Sequence, residues 1–135
     1  LQVKLLNDNI ISPDQDISFE ISYDVNEDIE TYIAFSLTDI DRGIWIYNDN
    51  SMDNKTSGSG RKTLTYKCSL AHLNNIKLKL QVSVRDKDDQ MIAFADSDNS
   101  PVILLNRTDI EDDDKSAKDS ATGMVQRNGK WEIQE

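Results

Sequence analysis

Apolar and polar residues alternate along most of the first hundred or so positions. Ile17, Phe19, Ile21, Tyr23 and Val25 alternate with Ser18, Glu20, Ser22 and Asp24. The pattern returns at Ile33, Phe35 and Leu37, and again at Leu64, Tyr66, Cys68 and Leu70. Its longest stretch is Ile76, Leu78, Leu80, Val82 and Val84, with Lys77, Lys79, Gln81, Ser83 and Arg85 between them or following. Residues two apart share one face of a strand, so each run predicts a strand with one buried and one wet face. One-sided strands belong to antiparallel sheets, because strands of parallel sheets are usually covered on both faces. Shorter apolar runs at 3–6, 44–47, 91–95 and 102–105 add further strands. Polar turn residues at 26–28, 39–43 and 86–90 read as tight hairpin connections. The Asn-, Asp-, Ser- and Gly-rich stretch 48–60 reads as a surface loop, and only 69–73 offers a helical turn. About eight strands with almost no helix predict an all-β fold, a β-sandwich first and a small barrel as the alternative.

The alternation stops near Asn106. Positions 108–120 carry Asp109, Glu111, Asp112, Asp113, Asp114 and Asp119 with scarcely an apolar residue. Such a segment has too little apolar surface to offset its ordering entropy, which predicts a flexible acidic linker. Apolar residues resume at Met124, Val125, Trp131 and Ile133. The expected organisation is therefore a sandwich at 1–107, the linker at 108–120, and a C-terminal strand at 121–135 that docks on its own or a partner sandwich. A linker of this length spans up to about 40 Å when extended, enough to reach a second subunit.

Composition narrows the function. The chain has 135 residues and a formal net charge of -10, which repels phosphate backbones and anionic headgroups. Neither nucleic acid nor direct membrane insertion is expected, and no apolar run reaches the about 18–20 residues of a membrane-spanning helix. The first residue is Leu1, which suggests a domain cut from a longer protein. One cysteine, Cys68, excludes an internal disulfide.

Enzyme chemistry finds little footing. His72 is the only histidine and has no marked partner, and Cys68 sits at an inward strand position. The two lack companions at zinc spacing. Ser57-Gly58-Ser59-Gly60-Arg61-Lys62-Thr63 fails the phosphate-loop spacing and leads into a strand instead of a helix. The carboxylate groups at Asp39/Asp41, Asp86/Asp88/Asp89 and Asp96/Asp98 lack the glycine of an EF-hand loop and read as solvated turns. No catalytic residue, metal or cofactor is expected.

The aromatic run Gly43-Ile44-Trp45-Ile46-Tyr47 is apolar on both faces. With Ile44 and Ile46 inward, Trp45 and Tyr47 stand about 7 Å apart on the outer face, where aromatic rings suit the C–H faces of sugars. In the opposite reading Trp45 is the core tryptophan of the sandwich. A sugar site follows from the first arrangement. Tyr32, Ala34, Ser36 and Thr38 point outward and floor a shallow trough beside Trp45 and Tyr47. Arg85 would meet a carboxylate or phosphate cap, and Asn48 and Asn50 would meet hydroxyls. The candidate carbohydrate-binding residues are thus Trp45, Tyr47, Tyr32, Arg85, Asn48 and Asn50.

Three segments stand out together: Phe35-Ser36-Leu37-Thr38-Asp39 running to Gly43, Leu70-Ala71-His72-Leu73 before the long alternating strand, and the tail Gly123-Met124-Val125 with Arg127, Gly129 and Trp131. With them the chain resembles the C-terminal carbohydrate-binding domain of Wzt-type ATPase subunits in O-antigen and related polysaccharide ABC exporters. Asn74-Asn75-Ile76 departs from the Gly-x-Tyr often found there. The resemblance implies an immunoglobulin-like antiparallel sandwich of about eight or nine strands, with the last strand exchanged in a homodimer. It further implies recognition of the end of a lipid-linked glycan at the cytoplasmic face of a bacterial inner membrane, beside a transporter membrane subunit and a separate nucleotide-binding domain. Sugar contacts vary across that family, so none is carried over by motif. An extracellular immunoglobulin-like adhesion or calcium-binding module, and a dimerisation module without a ligand, are the competing readings.

Overall fold

The computed structural model describes residues 1–12, 14–95, 100–106, 124–125 and 129–134. Among the described residues there are nine strands, the longer ones on the alternating runs. They are β1 (Gln2–Leu5), β2 (Ile10–Ile11), β3 (Asp16–Val25), β4 (Thr31–Asp39), β5 (Ile44–Asn50), β6 (Gly60–Ser69), β7 (Ile76–Asp86), β8 (Met91–Phe94) and β9 (Val102–Leu105). They form two sheets, a small one in the order β1-β3-β6 and a large one in the order β2-β9-β7-β4-β5. β8 pairs with the end of β7 that β9 leaves free, so β8 and β9 lie in turn along one edge of β7. All pairings are antiparallel except the short β2–β9 contact. The chain is an immunoglobulin-like sandwich. Two separate sheets replace the barrel alternative.

The inward rows of the two sheets make the core. Ile17, Phe19 and Ile21 of β3 face Phe35 and Leu37 of β4 and Leu78, Leu80 and Val82 of β7, all buried. Burying each such side chain contributes about 1.5–3 kcal/mol. Four rings bridge the sheets near β5 and β6. Phe19 meets Phe35 edge-on at 5.1 Å, Tyr66 meets Phe35 at 4.7 Å, and Tyr47 stacks on Phe35 at 6.1 Å. Edge-to-face pairs of this kind add roughly 0.5–1.5 kcal/mol each beyond their buried area.

Two local readings need correction, and one short strand went unread. No helix forms at 69–73, where Leu73 closes a turn onto Leu70 through an N–H to carbonyl bond of 3.1 Å. Both leucines are buried, so their apolar spacing serves the core instead of a helix face. The stretch 48–60 is partly strand, because β5 runs to Asn50, and it then makes a short 3-10 turn at Met52–Asn54. Thr56 pins this connection to the start of β4. It exchanges two backbone hydrogen bonds with Thr31, and their hydroxyls meet that of Tyr23. The two-residue β2 carries no alternation long enough to read from sequence.

The expected linker at 108–120 lies outside the described residues. Of the C-terminal stretch, Val125 forms an isolated bridge with Leu73 of its own chain. Asn74 holds that bridge, donating its N–H to the Met124 carbonyl at 3.0 Å and its Nδ2 to the Val125 carbonyl at 3.2 Å. Residues 129–134 are not in a strand, and Trp131 and Ile133 are 99% and 88% exposed.

The β4–β5 turn rests on one buried acid. Asp39 Oδ1 accepts from the amides of Asp41 at 2.9 Å and Arg42 at 3.1 Å, while Oδ2 takes the Arg42 guanidinium at 2.6 Å. Gly43 closes the turn with a positive φ of 69°, a conformation that favours glycine. Burial pushes the Asp39 carboxyl up, but the Arg42 guanidinium and the two amides outweigh it and hold the group below its ordinary 3.8. A pKa depressed in the folded state gives stability that is complete above the unfolded value and lost as pH falls through the folded one. Asp39→Ala is expected to cost about 2 kcal/mol in urea denaturation at neutral pH. The gap to the parent should close as pH falls below about 4. A gap that persists into acid would remove the carboxylate from this role.

Candidate functional site

Register places a trough on the outer face of the large sheet. Ala34 of β4 lies opposite Ser83 of β7, and Ser36 lies opposite Gln81. These outward residues are small or uncharged, so they leave a shallow floor. On one side β5 sets Asn50 against Ala34, Asn48 against Ser36 and Trp45 against Thr38. On the other, β8 sets Phe94 against Ser83 and Met91 against Arg85. The four strands put these walls about 14 Å apart at a spacing of about 4.8 Å per strand. The open space between them measures about 460 Å³. That volume lies within the range of small-ligand clefts.

Both walls depend on a β-bulge. Between β4 and β5 the register jumps so that Trp45 faces Thr38 and Tyr47 faces Leu37, leaving Ile46 as the extra residue. A bulge resets the alternation, so Tyr47 turns to the core side while Asn48 and Asn50 return to the outer face. β8 repeats the device. Met91 pairs with Arg85 and Ala93 with Val84, so Ile92 is extra and Met91 and Phe94 share the trough face.

The expected site residues therefore divide. Trp45 is 72% exposed at the trough wall, which decides between its two readings in favour of the outer face. Asn48 and Asn50 stand beside it. Tyr47 does not join them. It is half-buried against the core, and its hydroxyl lies 2.5 Å from that of Tyr66, which donates to Asp49 Oδ2. Ile44, expected inward, is exposed instead.

Tyr32 lies on the outer face as expected but is only 3% exposed, and its hydroxyl donates to Asp89 Oδ1. It closes the trough end and presents no open ring. Arg85 is half-buried beside it. Its Nε donates to Ser83 Oγ, and its Nη1 donates to the Asp89 carbonyl and Oδ1, each at 3.3 Å. Asp89 sits in the β7–β8 turn with φ 62°, a left-handed position that Asp and Asn tolerate. The hydrogen bond from Tyr32 is the main influence holding its carboxyl below the ordinary range, with Arg85 adding to it.

Sequence reading missed Met52, Met91, Phe94, Gln81, Ser83 and Asp89, all of which line the trough. The wet-face alternation of β7 already marks Gln81 and Ser83 beside Arg85. Met91 and Phe94 stand three apart and share a face only through the bulge.

The remaining chemistry-bearing residues lie elsewhere. His72 is exposed in the turn after β6. Cys68 is half-buried, and burial pushes its thiol up to about 11, so it is protonated at neutral pH. Among the described residues no group of three or more His, Cys, Asp or Glu is placed to hold a metal ion.

No protein-family model and no curated sequence matches the chain. Among solved structures it is similar to the C-terminal domain of Wzt, with a TM-score of 0.52 at 13% identity over 98% of this chain and 80% of that one. That likeness shows a shared fold. It is also similar to the CARDB domain of a Pyrococcus furiosus protein, solved in complex with di-metal ions. There the TM-score is 0.46 at 10% identity, over 77% of this chain and 85% of that one. A solution structure of that CARDB domain gives 0.44 at 11% identity, over 78% and 92%. Neither of these last scores reaches one half, and neither bears on function.

Opposite faces of β5 give opposite expectations for its two aromatic side chains. Trp45→Ala should change unfolding free energy by less than about 0.5 kcal/mol, since the ring is mostly solvated. Tyr47→Ala should cost about 2 kcal/mol through lost packing on Phe35. Thermal melts of both variants check this, and the reverse order would place Tyr47 outside and Trp45 inside.

Proposed function

We propose that this chain is a non-catalytic carbohydrate-binding domain of an O-antigen-type polysaccharide ABC exporter. In this reading it recognises the end of a lipid-linked glycan and licenses its export from the cytoplasmic face of a bacterial inner membrane. The observation that carries the reading is the trough. A solvent-facing Trp45, a floor of small side chains and the exposed amides of Asn48 and Asn50 supply stacking and hydroxyl recognition on one rigid sheet. Support also comes from the fold that the chain shares with the Wzt C-terminal domain over 98% of its length. The nucleotide-binding domain and the membrane subunit are then partners in the full-length exporter, and the domain itself needs no cofactor.

Glycan binding is tested by calorimetry against bacterial polysaccharide fragments. Trp45→Ala should weaken binding by about tenfold or more while the melting temperature holds. Unchanged affinity would remove Trp45 from the site. A calcium-induced rise of several degrees in melting temperature would instead favour the extracellular adhesion module.

The same reading includes a homodimer in which the tail strand crosses to the partner. Trp131 and Ile133 stand two apart, almost fully exposed, and large apolar side chains in that state call for a cover. A strand added at a sheet edge would bury them and protect that edge. Light scattering of the chain ended at Asn106 is expected to give a monomer where the complete chain gives a dimer. The same oligomer from both would show that the tail does not hold the assembly.

A further inference from the structure

We infer that the trough selects uncharged glycan ends and discriminates against those carrying a carboxylate or phosphate; this rests on the glycan-binding reading above. Among the described residues the charges around the trough are few and already engaged. Three charged residues line the trough, namely Asp49, Arg85 and Asp89. Asp49 turns its carboxylate inward, where Tyr66 donates to it. Arg85 and Asp89 face each other as an ion pair at 3.3 Å. The one guanidinium on the trough is therefore already matched by a carboxylate. Lys79 and Lys77, the next cations along β7, stand beyond Gln81 and do not line the space.

The arrangement is held from three sides. Ser83 and the Asp89 carbonyl take further donors of Arg85, so Nε and Nη1 are both engaged within the protein. Tyr32 donates to the same Asp89 oxygen that Arg85 contacts, which fixes the carboxylate and keeps it ionised at neutral pH. An anionic cap reaching for Arg85 would have to compete with Asp89 and would meet its negative charge at close range. A neutral sugar meets no such opposition. It finds Trp45 and Phe94 for its C–H faces, with Asn48, Asn50, Gln81 and Ser83 for its hydroxyls. An anionic end, which Arg85 alone would suggest, is replaced by an uncharged one once Asp89 is placed.

The test is a printed array that pairs neutral oligosaccharides with the same oligomers bearing a terminal uronate or phosphate, probed with the complete chain. Neutral members should bind, their acidic counterparts about tenfold more weakly, and the neutral signal should change little with salt. Asp89→Asn keeps a residue suited to the left-handed turn and removes the opposing charge. It should raise the ratio of acidic to neutral binding by about tenfold. Preference of the parent protein for acidic members, or an unchanged ratio in Asp89→Asn, overturns the inference and leaves glycan binding standing. Binding to neither set overturns glycan recognition and this inference with it.

Discussion

One extra residue in β5 joins the core to the surface of this domain. Because Ile46 has no partner on β4, Trp45 faces outward beside Thr38 while Tyr47 faces inward beside Leu37. A regular strand would put both rings on the same side. On the outer face the sandwich would lose the ring that Phe35 stacks against, and on the inner face the trough would lose its wall. The bulge thus supplies one aromatic to each layer from two positions that a regular strand would put on the same face. Bulges commonly sit where a sheet must re-aim a side chain, and both bulges here flank the trough.

The inward ring is also the point at which the two sheets are tied. Tyr47 reaches Tyr66 of the small sheet, and Tyr66 returns to Asp49 two residues further along β5. Burial, followed by the bonds to Asp49 and Tyr47, pushes the Tyr66 hydroxyl far above its ordinary value, so it stays a neutral donor at any physiological pH. The same link engages the Asp49 carboxylate, which lies between the outward-facing Asn48 and Asn50. Closing this side of the sandwich and keeping the trough neutral are therefore one arrangement.

Much of the fold is legible because period-two burial leaves a direct trace in sequence. Ile76 to Val84 alternate without interruption, and the structure keeps all five inward. The same rule places Ala34 and Ser36 outward and so predicts the floor. It fails where the chain breaks its own period. Nothing in Trp45-Ile46-Tyr47 announces that a residue is to be skipped, because every side chain there is acceptable on either face. Met91-Ile92-Ala93-Phe94 conceals the second bulge for the same reason. Arg85 was legible as an outward cation but not as a paired one. Asp89 is itself the left-handed residue of the turn, a place set by geometry, and the four acidic or amide side chains at 86–90 look alike in sequence. Short-range alternation is written in residue types, whereas register shifts and ion pairs arise from how strands meet.

This division explains how the Wzt C-terminal domain can share the fold at 13% identity. A sandwich core accepts many apolar side chains of suitable volume, provided that inward and outward positions alternate. The floor strands β4 and β7 are paired without a break from Thr31 to Asp39, so they fix a rigid platform whatever the outward residues are. The walls stand on β5 and β8, the two strands beside that platform that carry the bulges. Outward side chains there contribute little to the core, so a change of Trp45, Asn48, Met91 or Phe94 alters what fits between the walls at small cost in stability. A sheet built in this way separates the residues that determine folding from those that shape the trough. The lining of the trough is then free to change on a constant frame, with the bulges as the positions that cannot change without disturbing both.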